Sequence, residues 1–355
     1  MGIITALFIL SFLVFFHELG HFTAARFFGV QVDVFSIGFG KKLLTKQIGK
    51  TLWSFSLIPL GGYVKMKGQD DSDPTLKSTD NDSYNTKKPW QRIIILLAGP
   101  FANFLLAFLI YLSIATIGVP TLLSTIGEIN STQPAYKAGL LAGDQITAID
   151  GKPIHYWNEI GESIKNAPST LKITVLRDNT TLELSVTPKK QKMVNMFNEE
   201  IERKIIGIRP DINATVDVQY SPIESFDYAY NQTKASSLLI TKSIQKLIAG
   251  AVPLDQMGGV VSIVDVTAKA SHVGFVALLF FTALISVNLG VLNLLPIPAL
   301  DGGHIVFNLY EMITKKVPNE EVMYKLTLLG WGILLSMMIL GLYNDINRII
   351  MRMLG

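Results

Sequence analysis

The chain of 355 residues contains no cysteine. That absence removes disulfide frameworks, thiolate zinc sites and cysteine nucleophiles together. Charge is scarce too, at 17% of residues, where a soluble globular chain carries about a quarter. The 31 Lys and Arg nearly balance the 28 Asp and Glu, and a formal charge of +3 lacks the strongly basic field of a nucleic-acid binder. The sequence shows no repeated unit. What it has in excess is apolar: 49% of residues are hydrophobic, mean hydropathy is +0.37, and the excess gathers in a few long blocks separated by polar sequence. That distribution indicates a membrane protein with embedded soluble parts.

Four blocks match the roughly 20 apolar residues that a helix needs to cross a bilayer core. The first runs uncharged from 1 to 16 and continues, with polar interruptions, to Val30. The second covers 93–119 and the third 273–295, neither with a charged residue, and the fourth covers 326–343. A cleaved signal peptide is the rival reading of the first block. It fails because no positive segment precedes the block, and the apolar run leads into His-Glu-Leu-Gly-His instead of a small-residue cleavage site. Arg26 follows the first block, and Lys87, Lys88 and Arg92 precede the second. By the positive-inside rule, residues 27–91 are then cytoplasmic, 120–272 lie outside, and both termini lie outside.

The predicted fold class is therefore membrane α-helical, with four transmembrane helices, a membrane-associated cytoplasmic β-hairpin region and one extracytoplasmic PDZ-like α+β domain. The divisions are 1–28, first helix; 29–91, cytoplasmic hairpin and loop, including the polar stretch 68–88; 92–119, second helix; and 120–192, PDZ-like domain. They continue with 193–272, a linker (193–203) and a helix over 223–248 able to lie on the membrane surface; 273–310, third helix; and 311–355, fourth helix and tail. Within the outer domain, β-type runs at 124–129, 145–149, 171–176 and 181–186 are separated by Ala-Gly-Asp, Asp-Gly-Lys-Pro and Arg-Asp-Asn turns, with one amphipathic helix at 156–166. The passage AYKAGLLAGDQITAIDGKPI closely resembles a PDZ domain, a module that binds extended peptides by strand addition.

Chemistry begins at HELGH, residues 17–21. On a helix His17 and His21 stand one turn apart on one face and can offer imidazole nitrogens to one metal ion, while Glu18 points about 100° away, toward a water. With 5 His and 12 Glu in the chain, chance produces H-E-x-x-H with a probability on the order of 0.002. Such groups at the end of an apolar helix cost several kcal/mol unless partnered. The metal indicated is zinc, which in catalytic sites usually takes three protein ligands and keeps one position open.

The third ligand is sought at the end of the third block, in NLGVLNLLPIPALDGGH. Asp301 is flanked by Pro296, Pro298, Gly302 and Gly303, which break the helix near the membrane boundary, and the topology puts it on the same side as His17 and His21. His304 is the alternative ligand. His155 and His272 fall in the outer segment and read as surface histidines. Asn288 and Asn293 either bond between helices or hold a substrate backbone or oxyanion.

H-E-x-x-H in the first block, N-x-x-P-x-x-x-L-D-G from Asn293 to Gly302 and a PDZ-like insert between the second and third helices resemble the site-2 protease family of intramembrane zinc metalloproteases, in the arrangement of the bacterial regulator of sigma-E protease type. The similarity covers nearly the whole chain. It implies His17, His21 and Asp301 as ligands of Zn2+, Glu18 as catalytic residue, and Asn288 and Asn293 as substrate-facing. PLGGYVKM, with Gly61, Gly62 and Tyr63, matches the family's membrane-dipping hairpin that pairs with substrate. The better-known enterobacterial members carry two tandem PDZ domains, whereas this outer segment has room and signals for one.

From the residues themselves, 52–57 and 63–66 favour β structure around a Pro-Leu-Gly-Gly turn. The resulting edge either covers the cytoplasmic mouth or clamps a substrate that must unwind to be cut. The expected function is hydrolysis of peptide bonds in or next to the spanning segment of single-span membrane proteins, in regulated intramembrane proteolysis of an anti-sigma factor or of remnant signal peptides, at a bacterial inner membrane. The expected partners are such substrates and the lipid bilayer, with no nucleic acid. A membrane-embedded PDZ scaffold with an idle metal site is the rival from another class, and a transporter is disfavoured by the lack of matched inverted interruptions.

Overall fold

The computed structural model describes residues 2–69, 78–167, 169–195, 197 and 199–354. Part of the polar stretch expected over 68–88 thus lies outside the described residues. The chain divides into two compact units, one of Met1–Ser113, Phe226–Ile248 and Pro253–Gly355, the other of Ile114–Ser225 and Ala249–Val252.

The first unit opens with α1 (Gly2–Phe27), β1 (Val32–Ile48), β2 (Thr51–Met66) and α2 (Pro89–Ile117). The two strands are long and bent. Ile48↔Thr51 to Lys42↔Ser56 close a hairpin around Gly49 and Lys50, whereas Val34, Phe35, Ser36 and Ile37 each have two partners: Leu52, Trp53, Ser54 and Phe55 on one side, Lys65, Val64, Tyr63 and Gly62 on the other. The expectation that 52–57 and 63–66 pair with each other across Pro-Leu-Gly-Gly is corrected. Segment 34–37 lies between them: Phe35 and Ser36 are fully buried, and a buried strand needs backbone partners on both edges. In this register 62–66 pairs only with 32–37, which leaves it at a sheet edge.

The second unit contains β3 (Val119–Leu122), β4 (Ile126–Ile129), α3 (Pro134–Lys137), β5 (Gln145–Ile149), β6 (Lys152–Pro153), α4 (Trp157–Asn166), β7 (Leu171–Arg177) and β8 (Thr180–Val186). One sheet has the order β6-β5-β7-β8. Alternation along β7 turns Leu171, Ile173 and Val175 into a core shared with Ile146, Ile160 and Ile206. Glu159 reaches back to the start of α4, accepting hydrogen bonds from His155 N (2.8 Å) and Tyr156 N (3.4 Å), as a capping glutamate does. The Ala-Gly-Asp turn is tied to β7 by buried Asp144, which accepts from Leu141 N (2.8 Å) and from Arg177 Nε and Nη2 (both 2.7 Å).

The expected linker over 193–203 is corrected as well. β9 (Lys189–Val194) and β10 (Glu200–Ile205) form a hairpin, β11 (Ile208–Pro210) pairs with β4 and β12 (Thr215–Val218) pairs with β3, so the unit runs past 192. The hairpin strands are mostly exposed and joined by Lys190–Glu202 (3.0 Å) and Lys192–Glu200 (3.5 Å). Cross-strand charge pairing replaces the apolar alternation by which strands are recognised.

The chain continues with α5 (Pro222–Ile248), α6 (Val260–Val273), α7 (Phe275–Asn293), α8 (Asp301–Thr314) and α9 (Glu320–Leu354). α5 is the helix expected over 223–248; in the first unit its Phe226 packs on Phe108 (5.1 Å between ring centroids) and its Ser236 bonds Tyr111 (2.9 Å). α6 was not legible within 193–272. Its first turn is satisfied from α9, where Asp345 accepts from Gly259 N (3.1 Å) and Ser262 N (3.0 Å) and from the Ser262 hydroxyl. The break expected at Pro296 and Pro298 divides the segment 273–310 in two: α7 stops at Asn293, and the helix restarts at Asp301 as α8. Among the described residues four helices are long and apolar enough to cross a membrane, Gly2–Phe27, Pro89–Ile117, Phe275–Asn293 and Glu320–Met353, matching the four blocks.

Asp144→Ala removes the acceptor of three N–H groups and should destabilise the second unit by about 2–4 kcal/mol. Hydrogen exchange at β5 and β7 in the intact protein reads this directly; unchanged protection would show that the turn holds without Asp144.

Candidate active site

The H-E-x-x-H residues lie on α1, whose 3.6-residue repeat brings His17 and His21 to one buried face, 9% and 6% exposed, with ring centroids 4.8 Å apart. Asp301, the first residue of α8, completes the group. Its Oδ2 lies 3.3 Å from His17 Nε2 and 3.4 Å from His21 Nε2, and the two Nε2 atoms are 3.2 Å apart. The three ligand atoms lie within 4.8 Å of one another. They open on a cleft of about 240 Å³ that Glu18, Gly61, Gly62, Tyr63, Asn293 and His304 also line.

The donor set fits a metal ion. Asp301 Oδ2 is buried without a hydrogen-bond partner, which is costly for a carboxylate oxygen unless a cation satisfies it. The outer nitrogens prepare the inner ones. His21 Nδ1 lies 2.8 Å from Ile95 O, so it carries the proton, and Nε2 keeps its lone pair facing Asp301. His17 Nδ1 meets the side-chain amide of Asn103 at 3.1 Å, while Asn103 Oδ1 is buried and unpartnered. Turning that amide by half a rotation lets Oδ1 accept from His17 Nδ1–H, the arrangement that frees His17 Nε2 to ligate.

Most of the residues singled out from the sequence converge. His17, His21 and Asp301 form the cluster, Asn293 reaches His17 Nε2 at 3.4 Å, and Glu18, Gly61, Gly62 and Tyr63 line the cleft. Glu18 faces the edge segment closely, since a Cβ on Gly62 would stand 3.3 Å from Glu18 Cγ. His304 lines the cleft one turn beyond Asp301 but stands outside the three-residue cluster. Asn288 does not line it, being about 140° around α7 from Asn293. His155 and His272 are exposed, as expected.

Two residues of α2 were missed. Asn103 is fully buried in an otherwise apolar span, and a polar side chain there is itself a functional signal. Gly99 faces His21 so closely that a Cβ would stand 2.5 Å from the imidazole Cε1. Its trace in the sequence is Ala-Gly-Pro-Phe-Ala-Asn, a glycine one turn before that asparagine.

The model of peptidase family M50 matches residues 5–337. Relatives cover almost the whole chain: a provisionally named zinc metalloprotease of Campylobacter jejuni is 47% identical over 343 residues, 96% of this chain and 92% of that protein. One of Helicobacter pylori is 42% identical over 353 residues, 98% of this chain and 99% of that protein, and one of Rickettsia conorii is 35% identical over 356 residues, 98% and 99%. Among solved structures, the HtrA3 PDZ domain bound to a phage-derived ligand is similar at a TM-score of 0.19 and 21% identity, covering 20% of this chain and 81% of that one. The PDZ domain of an SdrC-like protein from Listeria monocytogenes is similar at 0.20 and 22%, covering 24% and 84%. The chain belongs to peptidase family M50. It is a metalloprotease, and its metal is zinc.

Ligand roles separate by metal content. Asp301→Ala should lower bound zinc about 10- to 100-fold in affinity, as should Gly99→Val through displacement of His21, whereas His304→Ala should retain zinc. Metal analysis of the purified variants checks the ranking, and a protein that needs His304 but not Asp301 would carry a different third ligand.

Proposed function

We propose that this chain is an intramembrane endopeptidase of the site-2 type, hydrolysing peptide bonds in or next to the spanning segment of single-span membrane proteins. The observation that carries the reading is the meeting of a three-ligand cluster with a sheet edge. His17 and His21 belong to a helix apolar and long enough to span, and segment 62–66 borders the same cleft. A peptide bond in a substrate helix is closed off by its own hydrogen bonds, so the helix must unwind, and each freed N–H and C=O in an apolar setting then needs a partner. An edge strand supplies such partners in the extended geometry that proteolysis requires. Gly61, Gly62 and Tyr63 would hold the substrate backbone there, with Asn293 beside the ligands. Asn288 would act from α7 only through the helix.

His17, His21 and Asp301 would hold the zinc, which when bound would supply Lewis-acid polarisation of the scissile carbonyl and a water of pKa about 7. Glu18 takes the proton from the attacking water and passes it to the leaving amine. Asn103 and the Ile95 carbonyl hold the two imidazoles in register throughout.

The biological setting follows the same reading. The protein would be a multi-pass component of a bacterial cytoplasmic membrane, with the cleft toward the cytoplasm and the termini and PDZ-like unit outside, as the distribution of Arg26, Lys87, Lys88 and Arg92 supports. Its substrates would be an anti-sigma factor or remnant signal peptides, with the PDZ-like unit regulating access.

Purified protein reconstituted with a single-span substrate tests the chemistry. Glu18→Gln should bind zinc as the parent does while cleavage falls by at least about 100-fold, the scale of a lost general acid–base group. Undiminished cleavage by Glu18→Gln would refute the metalloprotease mechanism. A parent that cuts soluble unfolded peptides but never a spanning segment would refute the intramembrane reading alone.

A further inference from the structure

Along one flank of α1, beside the face that carries the ligand histidines, α1 and α2 border an apolar groove of about 600 Å³. At about 100° per residue, Leu19 and Thr23 stand roughly 120–160° around the helix from His17 and His21, whereas Gly20 and Ala24 stand within about 20–100° of them. Small side chains, Gly20 and Ala24 of α1 and Ala98 and Ala102 of α2, border it, and Phe27 and Phe101 flank them. Thr23 is the one polar lining residue, and its hydroxyl is already bonded to Leu19 O (2.7 Å). The lining on α2 extends from Ile94 to Leu109, about 22 Å of helix. That exceeds the roughly 15 Å depth of one leaflet of a bilayer core. A single acyl chain can therefore lie in it from end to end.

One mouth of the groove is chemically distinct. Phe28 and Trp90, with ring centroids 5.6 Å apart, join the end of α1 to the start of α2, and Trp90 is 46% exposed, the placement of an aromatic side chain at a membrane interface. Lys87 is bonded to Asn81 O (2.9 Å), and Arg92 is paired with Glu311 (2.7 Å). Arg26 and Lys88 are different: both are exposed, and neither side chain has a partner among the described residues. Arg26 lies within about 20° of Leu19 around α1, at the margin of the lining stripe. No acidic side chain lines the groove. An apolar slot of acyl-chain length whose Phe28 end carries an aromatic pair, with Arg26 two residues before Phe28 and Lys88 two before Trp90, is complementary to a lipid bearing a negative headgroup.

We propose that the groove between α1 and α2 is a binding site for one anionic phospholipid, with an acyl chain against the small residues and the phosphate held by Arg26 and Lys88. The site lies along the flank of the helix pair that carries His17, His21, Gly99 and Asn103, so the lipid would pack beside the catalytic helices. It depends on the chain spanning a bilayer but not on its cutting any substrate.

Native mass spectrometry of the full-length zinc-loaded protein, titrated with phosphatidylglycerol or phosphatidylcholine of identical chains, tests it. The parent should retain one phosphatidylglycerol with a preference of roughly tenfold or more, since each cation near a headgroup contributes about 1 kcal/mol. Arg26→Gln with Lys88→Gln should bring that preference close to one with zinc content unchanged; neither side chain is packed, so folding is not at stake. Thr23→Trp, which fills the slot, should lose the retained lipid, whereas Leu335→Trp on exposed α9 should keep it. Equal retention of both lipids by the parent, a preference that survives the double substitution, or lipid retained by Thr23→Trp would each overturn the proposal. A parent dimer that Thr23→Trp dissociates without altering lipid count would overturn it in favour of a helix from a second copy.

Discussion

Three lone pairs aimed at one point govern the first unit. His17 Nε2, His21 Nε2 and Asp301 Oδ2 approach to 3.2–3.4 Å in a setting that excludes most water, and such atoms repel one another unless a cation stands among them. The surrounding polar contacts make sense only as service to that point. Ile95 O and the Asn103 amide take the outer imidazole nitrogens, which fixes the tautomers and turns both Nε2 atoms inward. Gly99 gives the ring of His21 its space. The break between α7 and α8 sets the carboxylate of Asp301 at a helix start, where it is not confined to the periodicity of the span before it.

The same logic places the sheet beside the cluster. Bends in β1 and β2 let segment 34–37 take partners on both sides, and the cost is that 62–66 is left at an edge. Exposed edges are normally shielded because they recruit other strands. Under the function proposed above, an edge in a cleft shared with Glu18 and the ligand cluster would be useful, since an unwound substrate would bring the unsatisfied backbone groups that an edge can pair. The second unit relies on different means, with an apolar core between β5, β7 and α4 and a buried carboxylate at the Ala-Gly-Asp turn, and it draws little on the cross-strand charges of its β9–β10 hairpin, which are exposed.

Local sequence determined the features whose signal is short-range or purely solvational. Four apolar blocks became four helices of spanning length, because transfer to a lipid-like medium depends on composition over about 20 residues and not on neighbours. H-E-x-x-H placed two imidazoles on one face by helical geometry alone. Pro296 and Pro298 broke the third helix as their missing N–H groups require, and alternation in 145–149, 171–176 and 181–186 marked true strands. Tertiary structure decided whatever depends on a partner distant in the chain. That 34–37 separates 52–55 from 62–65 is a choice between edges that no local pattern distinguishes, and in the fold Phe35 of the middle segment packs on Phe15 and Phe22 of α1. The hairpin over 189–205 has no apolar period to announce it, and α6 is capped by a carboxylate more than 80 residues away. Asn103 and Gly99 acquire their roles only when α2 lies against α1, because a second contact to a ligand is a property of two helices meeting and no window along either one contains it.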